Sequence, residues 1–259
     1  TIIRLLMGLI AADKGSIEVL GQKIPQQQVL AKTDIGFVSE DMRLYKNATL
    51  EWHMDFMHRI YPDQWDQKYA NDLLSKFDLI DEQKVKGMSH GQRVKSSLLL
   101  MFARKPKLLI FDEPTTGLDP VARKEVLNEM MAVLNDEGRS ILFSSHNTLD
   151  VEQLSDQITF IDRGAIVGSN DKESFIENWR RIRLHTESDH SITVNQYVKE
   201  VIKQGRNTTL IVHQFDESML NEWTQKGATV QGVEYMSLEE IFVAEVEATR
   251  QSKSSGESS

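Results

Sequence analysis

The sequence predicts an α/β fold: a core of alternating strands and helices, a helical block inserted between those strands, and a small α+β unit after them. Three observations carry this. Leu108–Phe111 and Ser140–Ser144 are continuous apolar runs, as expected of strands buried on both faces of a parallel sheet. Helical periodicity fills Ala48–Lys107 and recurs over Val121–Asn135. From about Leu184 the pattern shortens to half-buried alternations such as Thr209–Val212.

Taken in order, the chain opens on the apolar stretch Thr1–Ala12, which ends in small residues as a signal peptide would. Arg4 interrupts it and no basic segment precedes it, so the spacing of Ile2, Leu5, Leu6 and Leu9 instead predicts an amphipathic helix over Thr1–Ile10, ended near Gly15. Ser16–Leu20 and Asp34–Val38 read as short strands. In the helical block, about 48–107, Thr49 caps a helix whose stripe is Leu50, Met54, Met57 and Ile60, stopped by Pro62. Trp65, Tyr69, Leu73, Leu74 and Phe77 stripe a second helix, and a third runs from near Ser89 to just before Pro106. Beyond the core, Leu149–Ser155 is helical and Gln157–Val167 is a hairpin turning at Arg163-Gly164. The later unit holds strands at Ile192–Val194, Thr209–Val212 and Ala228–Val233, with helices at Gln196–Gln204, Glu217–Lys226 and Ser237–Ala248. The domain reading is therefore 1–183 for the core, 184–248 for an accessory domain, and a disordered serine-rich tail at 249–259.

Composition narrows function. The 259 residues carry a net charge of -9, which argues against non-specific nucleic-acid or anionic-membrane binding. The absence of cysteine excludes disulfide scaffolds, thiol catalysis and cysteine metal sites. No apolar run reaches the roughly 18–20 residues of a membrane span; Ser97–Ala103 is the longest candidate.

The chemistry concentrates where the strand Leu108–Phe111 runs into Asp112-Glu113-Pro114, placing two carboxylates at the C-terminal edge of a parallel sheet, where α/β folds bind ligands. Asp112 is placed to hold Mg²⁺, and Glu113 to polarise an attacking water. Alone, Phe111–Pro114 could also be a strand end followed by a solvated acidic turn. Upstream, Ser89 and Gln92 have the S-x-x-Q spacing of a capping box, and Gly91 leaves backbone N–H groups uncovered. Such a helix start suits a phosphate, although it could also be an ordinary cap. Gly117-Leu-Asp-Pro120 follows the acidic pair, and Ser144-Ser-His146 brings an imidazole to the same sheet edge.

This ordered set resembles the ATP-binding subunits of ABC transporters, most closely bacterial single-domain subunits of multidrug, peptide or lipid exporters. Met88–Gln92 is similar to the signature motif, with His90 in place of its first glycine; Phe111–Pro114 to Walker B with its catalytic glutamate; Gly117–Pro120 to the D-loop; and His146 to the switch histidine. The resemblance covers Thr1 to about Gly168 and implies a P-loop ATPase core that binds ATP with Mg²⁺. Two such subunits would face each other head to tail, as a homo- or heterodimer. They would drive an integral membrane permease subunit from the cytoplasmic side of the membrane, with no nucleic-acid partner. It further implies Glu113 and His146 as catalytic, Asp112 as the Mg²⁺ ligand, Ser89, Gly91 and Gln92 at the partner's nucleotide, and Asp119 linking the two sites. The permease would dock at the Glu40–Ile60 loop and helix. A soluble ATPase acting on ribosomes or DNA, and a non-hydrolysing regulatory subunit, are the rival readings.

The sequence departs from the pattern twice. It contains no G-x-x-x-x-G-K-[ST]. The resemblance implies that this loop lies upstream, with Thr1 just after its Mg²⁺-ligating residue and so beside the nucleotide; without the loop, the chain is expected to fold poorly and not to turn over ATP. Glu40 stands where the family's Q-loop has glutamine, and would act as a second Mg²⁺ ligand or be a tolerated exposed substitution.

Overall fold

The computed structural model describes residues 1–39, 43–187 and 195–256, for 252–256 the backbone alone. The chain divides into two compact units, Thr1–His146 and Asn147–Ser259.

The first unit runs α1 (Ile2–Leu6), β1 (Ile17–Val19), β2 (Gln22–Ile24), α2 (Gln28–Thr33), β3 (Ile35–Ser39), α3 (Leu50–Ile60), α4 (Gln67–Lys76), a 3₁₀ turn (Val85–Gly87), α5 (His90–Ala103), β4 (Leu108–Asp112), α6 (Pro120–Leu134) and β5 (Ser140–Ser144). Its centre is a parallel sheet of order β3-β4-β5, in which Leu109, Ile110 and Phe111 of β4 are wholly buried. Helix α5 is buried on every side from Ser96 to Ala103, which is why its sequence shows little amphipathic contrast. Phe102 of α5 meets Phe111 edge-on at 5.8 Å, a favoured aromatic geometry.

In this unit three expectations are corrected by the structure. The first helix stops at Leu6, not Ile10. Gly8 takes a left-handed backbone (φ 61°), and the N–H groups of Gly8 and Leu9 close back on Leu5 and Arg4, a C-terminal motif in which glycine avoids the Cβ clash. In α3 the buried positions are Leu50, His53 and Met54, and Ile60 is 50% exposed, so the apolar stripe does not all face inward. Strand β5 is not buried like β4: it is a sheet edge among the described residues, and its Leu142 is 41% exposed.

Two polar clusters inside this unit gave no sequence signal. The Arg104 guanidinium, 3% exposed, donates to the carbonyls of Lys32, Thr33 and Ile35 and stacks 3.8 Å over the Tyr61 ring, joining the α2–β3 connection to the helical block. Tyr69 of α4 donates to buried Glu129 of α6, whose other oxygen takes Lys76 Nζ at 2.9 Å. Burial and the adjacent carboxylate push the Tyr69 phenol well above its usual value.

The second unit begins with α7 (Thr148–Leu154) and the hairpin β6 (Gln157–Asp162) and β7 (Ala165–Asp171), turning at Arg163-Gly164, both with positive φ. It continues with α8 (Lys172–Asn178), β8 (Arg180–Thr186), β9 (Val198–Gln204), β10 (Asn207–Val212), α9 (Ser218–Gln225), β11 (Ala228–Tyr235) and α10 (Leu238–Gly256). An antiparallel sheet of order β11-β8-β10-β9 packs Ile182, Leu184, Leu210 and Val212 against Met219 and Trp223 of α9. The helix expected over Gln196–Gln204 is strand β9. Lys199, Glu200 and Lys203 favour helix locally, but pairing of Val201 with Leu210 and Glu200 with Ile211 prevails. Helix α10 passes Ala248 into the serine-rich tail as far as Gly256, and Arg250 pairs with Asp162 along its side, so disorder does not set in at 249. The strand expected at Ile192–Val194 lies outside the described residues.

His53, 5% exposed, provides a test of the first unit's packing. Its Nδ1–H donates to the Thr49 carbonyl (2.7 Å), so Nε2 accepts the Tyr45 N–H (3.0 Å), and burial holds its pKa below the ordinary 6.5. The unfolded chain therefore binds the proton first as pH falls below 6.5; this contribution to stability is complete above that pH and lost on acidification. Denaturant titrations between pH 5 and 7 should show stability rising with pH, and His53→Asn should reduce that slope by up to ~ one proton.

Candidate functional site

The parallel register sets Ser39, Asp112 and Ser144 level with one another at the C-terminal ends of β3, β4 and β5. Asp112 Oδ1 accepts the Ser144 hydroxyl at 2.6 Å, and Oδ2 has no partner among the described residues. No group of three His, Asp or Glu suited to a metal forms among the described residues. Among the described residues, Asp112 thus offers a cation one unpartnered carboxylate oxygen, Oδ2. This suits Mg²⁺, which commonly takes one or two carboxylates and completes its shell with water and phosphate oxygens.

Glu113 follows with φ 56°, a left-handed conformation that costs a non-glycine residue about 1–3 kcal/mol. Its N–H is held by Ser144, at 3.1 Å to the hydroxyl and 3.3 Å to the carbonyl. Its Oε2 accepts the Thr116 hydroxyl (2.9 Å) and His146 Nδ1 (2.7 Å), while among the described residues no donor reaches Oε1. The side chain is about a quarter exposed, and the His146 ring is largely exposed. The outcome is one pinned and one open carboxylate oxygen at the strand tip.

The start of α5 lies beside this group. Ser89 Oγ accepts the Gln92 N–H at 3.1 Å and Gln92 Oε1 accepts the Ser89 N–H at 2.9 Å, the reciprocal capping box that the spacing predicts. The backbone N–H groups of His90 and Gly91 have no partner among the described residues, and no acidic residue stands in the first turn. This helix end is therefore open to an anion. His90 Nε2 donates to the Thr116 carbonyl at 3.1 Å, joining α5 to the turn after Glu113.

Asp119 caps α6: its Oδ1 accepts the N–H groups of Ala122 (3.0 Å) and Val121 (2.9 Å), and these bonds hold its carboxyl below the usual range. Thr1 is exposed ahead of α1 and makes no described hydrogen bond to the group, although Ile3 of α1 and Met7 just after it pack with Ile110 of β4. Glu40 lies outside the described residues. Asp112, Glu113, His146 and the Ser89–Gln92 turn are thus joined in one neighbourhood. Ser144 and Thr116, which tie it together, carried no motif; only their places at a strand end and just after the acidic pair could have pointed to them.

The family model described as ABC transporter matches residues 1–116, ending within this turn. The lantibiotic transport ATP-binding protein SrtF of Streptococcus pyogenes is 33% identical over 186 residues, covering 69% of this chain and 79% of that protein. The ABC transporter ATP-binding protein YtrB of Bacillus subtilis (strain 168) is 28% identical over 245 residues, covering 94% of this chain and 83% of that one. A solved structure of an ATP-binding subunit of an ABC transporter superposes with a TM-score of 0.61 at 24% identity, over 68% of this chain and 75% of that chain, which speaks to the fold. The chain belongs to the ABC transporter family, as an ATP-binding, ATP-hydrolysing subunit. The expected α/β fold of a P-loop ATPase stands.

Removing the cap should weaken this helix end. Ser89→Ala leaves the Gln92 N–H unpaired and is expected to lower unfolding free energy by about 1 kcal/mol in denaturant titrations, with Ser89→Asn retaining most of it.

Proposed function

We propose that this subunit hydrolyses ATP to drive export through a separate integral membrane permease subunit, with Glu113 as general base. The observation that carries the catalytic reading is the Glu113 carboxylate, anchored through Oε2 and open at Oε1 beside the exposed His146. A water held at Oε1 attacks the γ-phosphorus and its proton passes to Oε1; the new O–P bond forms as the β,γ-bridging bond breaks, and ADP leaves with the electron pair. His146 is fixed through Nδ1, and with the ring doubly protonated its other nitrogen would donate to the γ-phosphoryl oxygens. Mg²⁺, held through Asp112 and in our reading also Glu40, would supply charge stabilisation to the phosphates. Ser89, Gly91 and Gln92 would donate to the nucleotide of a second subunit facing this one, with Asp119 at the junction between the two sites and Thr1 beside the phosphates. SrtF, named for lantibiotic transport, supports coupling of hydrolysis to transport.

Among the described residues no helix is long and apolar enough to cross a membrane, which agrees with a distinct permease. An exposed aromatic ridge supports its docking at α3: Trp52 stacks on Phe56 at 5.3 Å and meets Tyr45 edge-on at 5.6 Å, with Ile60 a turn further along. The α+β module at 184–248 is read as a dimerisation or regulatory element.

In the full-length gene product, Glu113→Gln is expected to slow ATP turnover by at least about 100-fold with nucleotide affinity retained. Turnover near that of the unaltered protein would remove Glu113 as the base. Trp52→Glu with Phe56→Glu should prevent copurification with the coexpressed permease while ATP binding persists; undiminished copurification would place docking elsewhere.

A further inference from the structure

We infer that His90 is a positioning residue for Glu113, acting through Thr116; this rests on the reading of Glu113 as general base. His90 sits at the first position of α5, where the resembling motif carries glycine, and its side chain turns away from the helix to the loop that follows Glu113. Its Nε2 donates to the Thr116 carbonyl at 3.1 Å. The same residue meets Glu113 twice: the Thr116 N–H donates to the Glu113 carbonyl (3.3 Å) and the Thr116 hydroxyl donates to Glu113 Oε2 (2.9 Å). A chain of three bonds therefore links the imidazole to both the backbone and the carboxylate of Glu113.

Glu113 needs such support. Its left-handed φ of 56° is a conformation that persists only where neighbours over-determine it. Ser144 fixes its N–H, His146 shares Oε2, and Thr116 supplies the remaining contacts. Thr116 itself lies in a tight turn beside Gly117 (φ 72°), where a Cβ would come within 3.1 Å of His90 Nε2. The ring thus fills the space over Gly117 and fixes the Thr116 peptide plane. Without it that peptide is free to rotate, the Thr116 hydroxyl no longer points steadily at Oε2, and the open Oε1 drifts from the attacking water.

Positioning makes a different kinetic prediction from nucleotide contact. Steady-state ATPase of the full-length gene product would be measured for His90→Ala, Thr116→Val, the double variant and His90→Gln, beside Glu113→Gln. Each single truncation is expected to lower kcat by about tenfold to a hundredfold with KM little changed, the scale of a misplaced catalytic group. The double variant should fall no further than the worse single one, and His90→Gln, which keeps an N–H donor, should recover much of the loss. Independent, multiplying losses, or a His90→Ala effect confined to KM, would overturn the inference. So would unaltered turnover in His90→Ala. Glu113→Gln separates the two claims: if it is active the general-base reading fails, whereas if it is inactive and the cycle is additive only the role of His90 does. Thermal unfolding of each variant, expected to match the unaltered protein, tells positioning from loss of fold.

Discussion

The parallel register of β4 between β3 and β5 is the constraint on which the site depends. It sets Asp112 level with Ser39 and Ser144, and a slip by one residue would take Asp112 out of line with both and misplace the apolar run against its neighbours. Burial prevents that slip: Leu109, Ile110 and Phe111 are enclosed, so the register that hides the apolar run is the one that delivers two carboxylates to the sheet edge. Everything beyond Asp112 is built outward from this fixed point.

The turn after β4 is held by polar bonds, whereas the strand itself is held by packing. Glu113 is strained, and the serine, threonine and imidazole around it hold that strain in place. Natural sequences break local rules mainly at functional positions, and a left-handed glutamate at a strand tip fits that pattern. The acid pair also divides its labour by environment. Asp112 is satisfied on one oxygen by a hydroxyl, and Glu113 is satisfied on one oxygen by two donors, so each keeps one oxygen without a partner among the described residues.

Elements with a strong local signal were legible in the sequence. The apolar run of β4, the Ser89–Gln92 box, the Thr49 cap and the Arg163-Gly164 turn all depend on neighbours a few residues away, and each appears as expected. Elements decided by distant partners were not. Strand β9 carries helix-favouring lysines and glutamate, and only pairing with β10 makes it a strand. The apolar run of β5 looks like that of β4, but its position at a sheet edge is a matter of topology. Gly8 is a local stop signal, but the apolar spacing that continues past it to Leu9 masks it. At the site, motif and order point to Asp112, Glu113 and His146, while Thr116 and the Arg104 clamp acquire meaning only once the chain is folded.

The capping box has a consequence for discrimination. Because Gln92 spends its amide oxygen on the Ser89 N–H, that side chain is oriented and only its NH₂ group remains to face outward. Together with the N–H groups of His90 and Gly91, unpaired among the described residues, this makes the helix tip rich in hydrogen-bond donors. Such a tip can greet oxyanions of any nucleoside triphosphate alike but has little with which to tell one base from another. Preference for adenine over guanine must therefore be set by other parts of the molecule.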